Sequence, residues 1–413
     1  MGDGWKNGAS DRPPRLMIAA HFTEPFAGTG ARRPTRLARF LLARGAPPTL
    51  VTAAPAFYGR AVGAGPCLRD ELADVCEVRR TRLHRTLGRL GAAGRWLLNA
   101  ALLRAYRRLI AERLEHGERP DFLYICGNPF WLFPLGAYFR RRAGLPYVLD
   151  FPDVFYARGV HYRLGRRRGL RTVVDRRAEA RAVAGAMLVV HTSEAQTALY
   201  RRRYPAVPAG RFATVRWGYD AEAVRAVAPC RRPDDDVFRV GIFGKFAAYG
   251  GADARSLATA VALLHARTRV FVTQVGDPEP ALAEAFRREG LSGCFHAAGR
   301  LPYAEGMALL AAQDALVLNA ISDVSLPAKL YDYIYLNRPV VALVTPESAA
   351  GRLVEGFPAG RAARSPEALC EAFQRVRADG LRELEPDLDP TEFSQQAQFE
   401  VLLERLREAG AHG

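Results

Sequence analysis

Lysine is nearly absent from this chain. Of 59 lysine and arginine residues, only Lys6, Lys245 and Lys329 are lysines. Arginine serves wherever a solvated positive charge is enough, so a retained lysine points to a place where a compact ammonium must meet one oxygen in a space too narrow for a planar guanidinium. Lys6, in a polar tail, shows that chance retention also occurs, whereas Lys245 and Lys329 stand beside glycines, prolines and strand ends. Long apolar runs are missing too: the longest, 130–139 and 184–190, are too short to cross a bilayer. The opening MGDGWKNGASDRPPR lacks the apolar core of a secretion signal, and a cytoplasmic location is expected. Cys67, Cys76, Cys126, Cys230, Cys294 and Cys370 form no C-x-x-C pair and no cluster with histidine. That excludes a disulfide framework or a structural metal site and leaves them as small buried hydrophobes. Internal repeats and low-complexity segments are likewise missing.

What is present fits an ordinary globular protein of two or three domains: 413 residues, 49% apolar and 25% charged. Its net charge of +16 is unevenly divided. Residues 1–220 hold 38 basic against 17 acidic residues and the remainder 21 against 26, so the first half carries +21 and the second −5. A field this lopsided suits an anionic partner of the first half, such as a membrane surface on the inner face of the plasma membrane or a phosphorylated acceptor. Nucleic acid is not expected, because the arginines are not interleaved with stacking aromatics.

A short apolar strand at 15–20 (RLMIAA) leads into a loop containing Phe26, Gly28, Thr29 and Gly30, a helical pattern at 35–44 and a strand at 49–52. The segment 96–114 has apolar residues at helical spacing with arginines opposite, which fits a packed helix or one lying on a membrane. Further strands are predicted at 121–126, 147–151 and 187–191, the last ending on His191. From 205 to 236 the pattern lapses into prolines, arginines and aspartates. A second alternation follows, with strands at 238–243, 268–275, 294–297, 315–318 and 340–344 separated by helices, and a last helix at 393–408. The expected organisation is a polar tail (1–14), a first α/β domain (15–215), a linker (216–236), a second α/β domain (237–385) and a crossover segment (386–413). Strands alternating with helices imply parallel sheets covered on both faces.

In the second domain several strand ends carry glycine. Gly241-Ile-Phe-Gly244-Lys245 closes the first strand, where backbone amides, a helix start and an ammonium together suit an anion. Gly276-Asp277-Pro278 and Gly299-Arg300 close the next two, so these ends converge on the edge where open α/β sheets bind ligands. Ser325-Leu326-Pro327 makes a turn before a helix on which Lys329 and Asp332 lie three residues apart. A carboxylate there suits the hydroxyls of a ribose and an ammonium a diphosphate; a plain surface salt bridge is the competing reading.

The succession of strand-Gly-Lys, strand-Gly-Asp, Ala-Gly-Arg-Leu-Pro-Tyr, Ser-Leu-Pro-Ala-Lys-Leu-Tyr-Asp-Tyr and Asn337-Arg338-Pro339-Val340-Val341 resembles the donor domain of GT-B glycosyltransferases, close to the GT4-like group. Asp150-Phe-Pro-Asp153, Val189-Val-His-Thr-Ser193 and Trp217-Gly218-Tyr219-Asp220 extend the resemblance into the first half. It implies two Rossmann-like domains facing each other across a cleft, with the C-terminal helix packing back on the first. It implies Lys245 and Lys329 on the diphosphate of a nucleotide sugar and Asp332 on its ribose. Gly244, Gly276, Arg300, Ser325, Leu326 and Pro327 would lie around that donor, with Gly28, Thr29 and Gly30 against it from the first domain. Asp150, Asp153 and His191 are candidates for acceptor contact, the aspartates equally candidates for structural duty at sheet ends. Two departures stand out: the paired-acid position is Val324, with Asp323 displaced by one, and a histidine common after the strand at 123–126 is replaced by Gly127-Asn128-Pro129. Asn128 can hydrogen-bond sugar or acceptor in its place. The second cation of the family's strand-end pair falls in Tyr249-Gly250-Gly251, and Lys329 is the candidate replacement.

The expected activity is transfer of a sugar from a nucleotide-diphosphate donor to a lipid-linked, glycan or small-molecule acceptor. No Asp-x-Asp motif stands at a strand end, so neither metal nor cofactor is expected, and retention follows by likeness. A natural-product glycosyltransferase, a nucleotide-sugar 2-epimerase of the same fold and a non-catalytic sugar-nucleotide-binding protein are the alternatives.

Overall fold

The computed structural model describes residues 12–59, 62, 67–89, 91–155, 170–221, 235–247, 251–357, 359–379 and 390–411. Lys6, most of the expected linker at 216–236, and Tyr249 and Gly250 lie outside them. The described chain forms two units, the first built from residues up to Val215 and from Phe399 onward, the second from Arg216–Gln398.

The first unit holds a seven-stranded sheet: β1 (Leu16–Ala19), β2 (Thr49–Ala53), β3 (Val75–Val78), β4 (Phe122–Cys126), β5 (Tyr147–Phe151), β6 (Leu188–His191) and β7 (Phe212–Thr214). Its order is β3-β2-β1-β4-β5-β6-β7, and every pairing is parallel. The second unit holds β8 (Phe238–Phe243), β9 (Val270–Val275), β10 (Phe295–Gly299), β11 (Ala315–Asn319), β12 (Val340–Leu343) and β13 (Arg361–Ala363), in the parallel order β10-β9-β8-β11-β12-β13. Strand order reverses beside β1 in one sheet and beside β8 in the other. Chain leaving those strands at their carboxyl ends therefore opens onto a crevice between diverging helices.

Helices cover both faces, which is why the central strands are buried along their whole length and read as unbroken apolar runs. In the first unit Leu37, Ala38 and Leu41 of the helix Thr29–Ala43 pack on Ile18, Leu50 and Tyr124. The final helix, Gln395–Ala411, contributes Phe399, Leu402, Leu403 and Leu406 to the same core. The long helix Gly91–Glu115 buries Leu102, Tyr106 and Ile110. In the second unit Val240, Ile242, Val272 and Val317 meet Leu257, Val261 and Phe373 on one face of the sheet. Leu316 and Leu318 meet Leu330, Tyr331 and Ile334 on the other. Among the described residues no helix is long and apolar enough to cross a membrane.

Several elements differ from expectation. The helix after β1 begins at Thr29 and not at 35, so Thr29 and Gly30 form its first turn behind an extended N-cap, Gly28, and Pro34 is accommodated inside it. The lapse at 205–236 contains β7, a three-residue edge strand too short to show a pattern. The strand β3 and the helix Arg82–Arg89 arise in a stretch whose many arginines mask its apolar period.

Candidate functional site

Glycines bring the carboxyl ends of β8, β9 and β10 together. The amide of Gly244 donates to the carbonyl of Val275 at 2.7 Å, and that of Gly276 to Gly299 at 2.8 Å. Gly244 has φ +67° and Gly276 φ +137°, and a Cβ on Gly276 would stand 2.9 Å from the Cα of Gly244. Only glycine allows this backbone approach. Beneath the junction the buried Gln274 donates from Nε2 to the carbonyls of Gly244 and Asp277, each at 3.1 Å. Glu279 turns back from the next helix start, and its Oε2 accepts from the amides of Phe246 (2.5 Å) and Ala247 (2.9 Å). The amides of Gly244, Phe246 and Ala247 are thus engaged within the protein, and the charge offered to an anion here is that of the lysines.

Lys329 reaches this loop from the helix Ala328–Tyr335, and its Nζ donates to the carbonyl of Lys245 at 2.8 Å. The ammonium also lies 5.9 Å from the centre of the Phe246 ring. Burial pulls its pKa down to about 8, against the opposing charge of Glu279. Lys245 itself is exposed. Arg300 grips Asp277 with two nitrogens, Nη2 to Oδ2 at 2.9 Å. The Arg300 hydrogen bonds hold the Asp277 carboxyl below its ordinary range, with the Arg300 and Lys245 charges adding to the effect. Lys245, Lys329, Gly244, Gly276 and Arg300 therefore form one cluster, in which Arg300 is already neutralised by a carboxylate.

Asp332 is 2% exposed and accepts on Oδ1 from the Tyr303 hydroxyl at 2.7 Å. Lys329 turns to Lys245, so the surface salt bridge between Lys329 and Asp332 is not what the helix displays. Ser325 shares a 2.7 Å hydrogen bond with Ser322, Leu326 is packed in the core, and Pro327 is the extended N-cap of the helix. This turn can meet a ligand mainly through its backbone.

In the first unit Gly28, Thr29 and Gly30 stand at the N-terminus of their helix, where open amides favour an anion. Asn128 follows β4 with φ +56° and donates from Nδ2 to Asp153 Oδ2 at 3.2 Å. A Cβ on Gly30 would lie 3.9 Å from the Asn128 carbonyl, so helix start and Asn128 are neighbours. Two acceptor candidates lie elsewhere. Asp150 is 1% exposed and pairs with the buried Arg33, Nε to Oδ2 at 2.6 Å. Burial alone would lower the Arg33 pKa, but Asp150 overrides it and holds the guanidinium charged. His191 is 1% exposed, stacked on Phe151 at 5.3 Å and packed on Tyr200 at 4.4 Å. Burial lowers its pKa to about 3, and neither ring nitrogen has a hydrogen-bond partner among the described residues. Neither side chain is presented to an acceptor; each was placed there by a strand end that belongs to the core.

Sequence reasoning missed Gln274, Glu279 and Tyr303, which shape the second unit's site. It also missed His21, which follows β1 among Phe22, Phe57 and Trp131 and is kept neutral by burial, with a pKa of about 4. Its place directly after a strand and before a glycine turn was the available signal. Among the described residues no group of three His, Cys, Asp or Glu is placed to hold a metal ion.

Residues 28–218 match the sequence model of the glycosyl transferase 4-like domain. No curated protein matches the chain by sequence. HepE of Anabaena, solved with UDP and glucose, superposes with a TM-score of 0.65 at 15% identity over 96% of this chain and 100% of its own. WaaG, a glycosyltransferase involved in lipopolysaccharide biosynthesis, does so at 0.59 and 16% over 95% and 94%. Sucrose-phosphate synthase from Thermosynechococcus elongatus gives 0.58 and 16% over 96% and 94%. At such identity the superpositions carry the fold, and the sequence match carries the domain at 28–218. The chain has the GT-B fold, and its residues 28–218 match the glycosyl transferase 4-like domain.

Proposed function

We propose that the enzyme moves a sugar from a nucleoside-diphosphate donor, with UDP as the first candidate, to an acceptor held by the first unit. The observation that carries this reading is the meeting of the two C-terminal lysines, Lys329 Nζ lying 2.8 Å from the Lys245 carbonyl at a glycine-built strand end. Departure of the diphosphate builds negative charge while the anomeric carbon becomes cationic, and two preplaced ammonium groups stabilise that charge where it develops. Asp332, oriented by Tyr303, takes the ribose hydroxyls. The Ser325–Pro327 turn borders the donor, and the open amides of the helix start at Gly28–Gly30 suit a phosphate. Asn128 and Asp153 contact sugar or acceptor.

Transfer is retaining and needs no metal, the charge stabilisation coming from the lysines. The product belongs to a cell-surface polysaccharide or glycolipid, and the +21 of residues 1–220 suits an acceptor presented at an anionic membrane. HepE's complex with UDP and glucose supports the choice of UDP.

Titration calorimetry with UDP tests the reading. A hydrogen bond to a charged group contributes about 1.5–3 kcal/mol, so Lys245→Ala and Lys329→Ala should each weaken binding roughly 10- to 100-fold. Undiminished affinity in the double variant removes the assignment. The anomeric configuration of the product, read by NMR, and turnover in excess EDTA check retention and metal independence.

A further inference from the structure

Between Glu77 and Glu112 the chain runs 34 residues without one carboxylate and with nine arginines. This stretch forms two helices packed on each other, Arg82–Arg89 and Gly91–Glu115. Leu102, Tyr106 and Ile110 of the longer helix point into the core of the first unit. Its opposite side needs no apolar residue for folding, yet Trp96 is 61% exposed, Leu97 45% and, on the shorter helix, Leu83 57%. Arg79, Arg82, Arg85, Arg95 and Arg104 are exposed around them, and none makes an ion pair among the described residues. Arg80 is held apart from this group, donating to the carbonyl of Ala56 at 2.8 Å.

Exposed tryptophan and leucine rimmed by unpaired arginines is the composition of a helix surface that lies in a lipid interface. The apolar side chains enter the boundary between headgroups and acyl chains, and the guanidinium groups stay level with the phosphates. Water makes such a surface costly for three large apolar groups, and neutral protein partners would not call for so complete an exclusion of carboxylates. We propose that the helix pair Arg82–Arg89 and Gly91–Glu115 seats the enzyme on an anionic lipid bilayer, with Leu83, Trp96 and Leu97 inserted and Arg79, Arg82, Arg85, Arg95 and Arg104 on lipid phosphates. The proposal deepens the reading that the acceptor is presented at a membrane, and it names the element that does the seating.

The test uses the full chain and vesicles of phosphatidylcholine, alone or mixed with phosphatidylglycerol. Wild type should sediment with the mixed vesicles at low salt, bind phosphatidylcholine about tenfold less or weaker, and lose binding as salt screens the arginines. Tryptophan emission should shift to the blue on vesicle addition, and Trp96→Phe, a replacement that keeps the surface apolar, should remove that shift while the protein still sediments. The triple variant L83S/W96S/L97S should remain in the supernatant with an unchanged melting temperature and unchanged UDP affinity. Sedimentation of that folded triple variant like wild type overturns the proposal, as does a blue shift that survives Trp96→Phe. Capture by RNA or heparin without vesicle binding also overturns it, because the face would then be a general polyanion surface. UDP affinity, measured on the same preparations, separates a failure of membrane seating from a failure of the sugar-transfer reading.

Discussion

Lys329 carries a charge in a place that disfavours it. Its pKa is about 8 against an ordinary 10.5, so between those values the unfolded chain holds a proton that the folded chain has lost, and this group's contribution to stability rises with pH across that window. A bound diphosphate acts oppositely, since it favours the ammonium. UDP binding should therefore take up a proton near pH 8, and affinity should be level at lower pH and fall by up to about tenfold per unit above it. Lys329→Arg, charged throughout, should lose that slope. Calorimetry in two buffers of different ionisation enthalpy reads the proton directly; no uptake and no slope would mean that Lys329 does not meet the phosphates.

His191 shows the same physics without a ligand. With a folded pKa of about 3 against 6.5, the unfolded chain binds the extra proton between these values, so stability is complete above pH 6.5 and is lost as pH falls toward 3. His191→Phe preserves the stacking on Phe151 and removes two unpartnered nitrogens. It should flatten the acid limb by about 1–3 kcal/mol at pH 4 in urea melts and leave turnover intact. Lost turnover in a folded variant would return His191 to the acceptor site.

At the scale of elements, the donor edge depends on one backbone contact. Gly276→Ala places a Cβ 2.9 Å from the Gly244 Cα at φ +137°, so the strand ends must part. The expected cost is about 1–3 kcal/mol, and because the displaced loop carries Lys245, UDP affinity should fall by more than the loss in melting temperature alone suggests. An unchanged affinity would show that this loop is scaffolding only. The same elements explain how much could be read in advance. Central strands such as β4, β5 and β11 are buried on both faces and declare themselves as apolar runs, and the glycines and lysines at their ends follow directly. The edge strands β3 and β7 could not be read, being three or four residues long with polar neighbours. Nor could the partner of Asp150, since Arg33 lies 117 residues away, on a helix whose start is disguised by glycines and Pro34. That pairing is a property of the fold and leaves no local mark, and so the sequence left Asp150 open between structural duty and acceptor contact.

At the scale of the molecule, the first unit is not continuous in the chain. Phe399, Leu402, Leu403 and Leu406 join its core from the far end of the sequence, with Phe399 packed on Phe40 at 5.3 Å and Glu400 paired with Arg44. Burying four large apolar side chains at about 2 kcal/mol each amounts to roughly 8 kcal/mol, which is comparable with the whole stability of a domain. A chain ending before Phe399 should therefore lose the folded first unit, although every strand of its sheet remains. Residues 216–398 keep their own core, so protease digestion should consume the first unit while a fragment containing Lys245 and Lys329 persists and is protected further by UDP. Leu402→Ala gives the graded version, with an expected loss of about 2–5 kcal/mol confined to the first unit's transition. If the truncated protein kept the wild-type digestion pattern in its first unit, the final helix would be an ornament on that core and not a part of it.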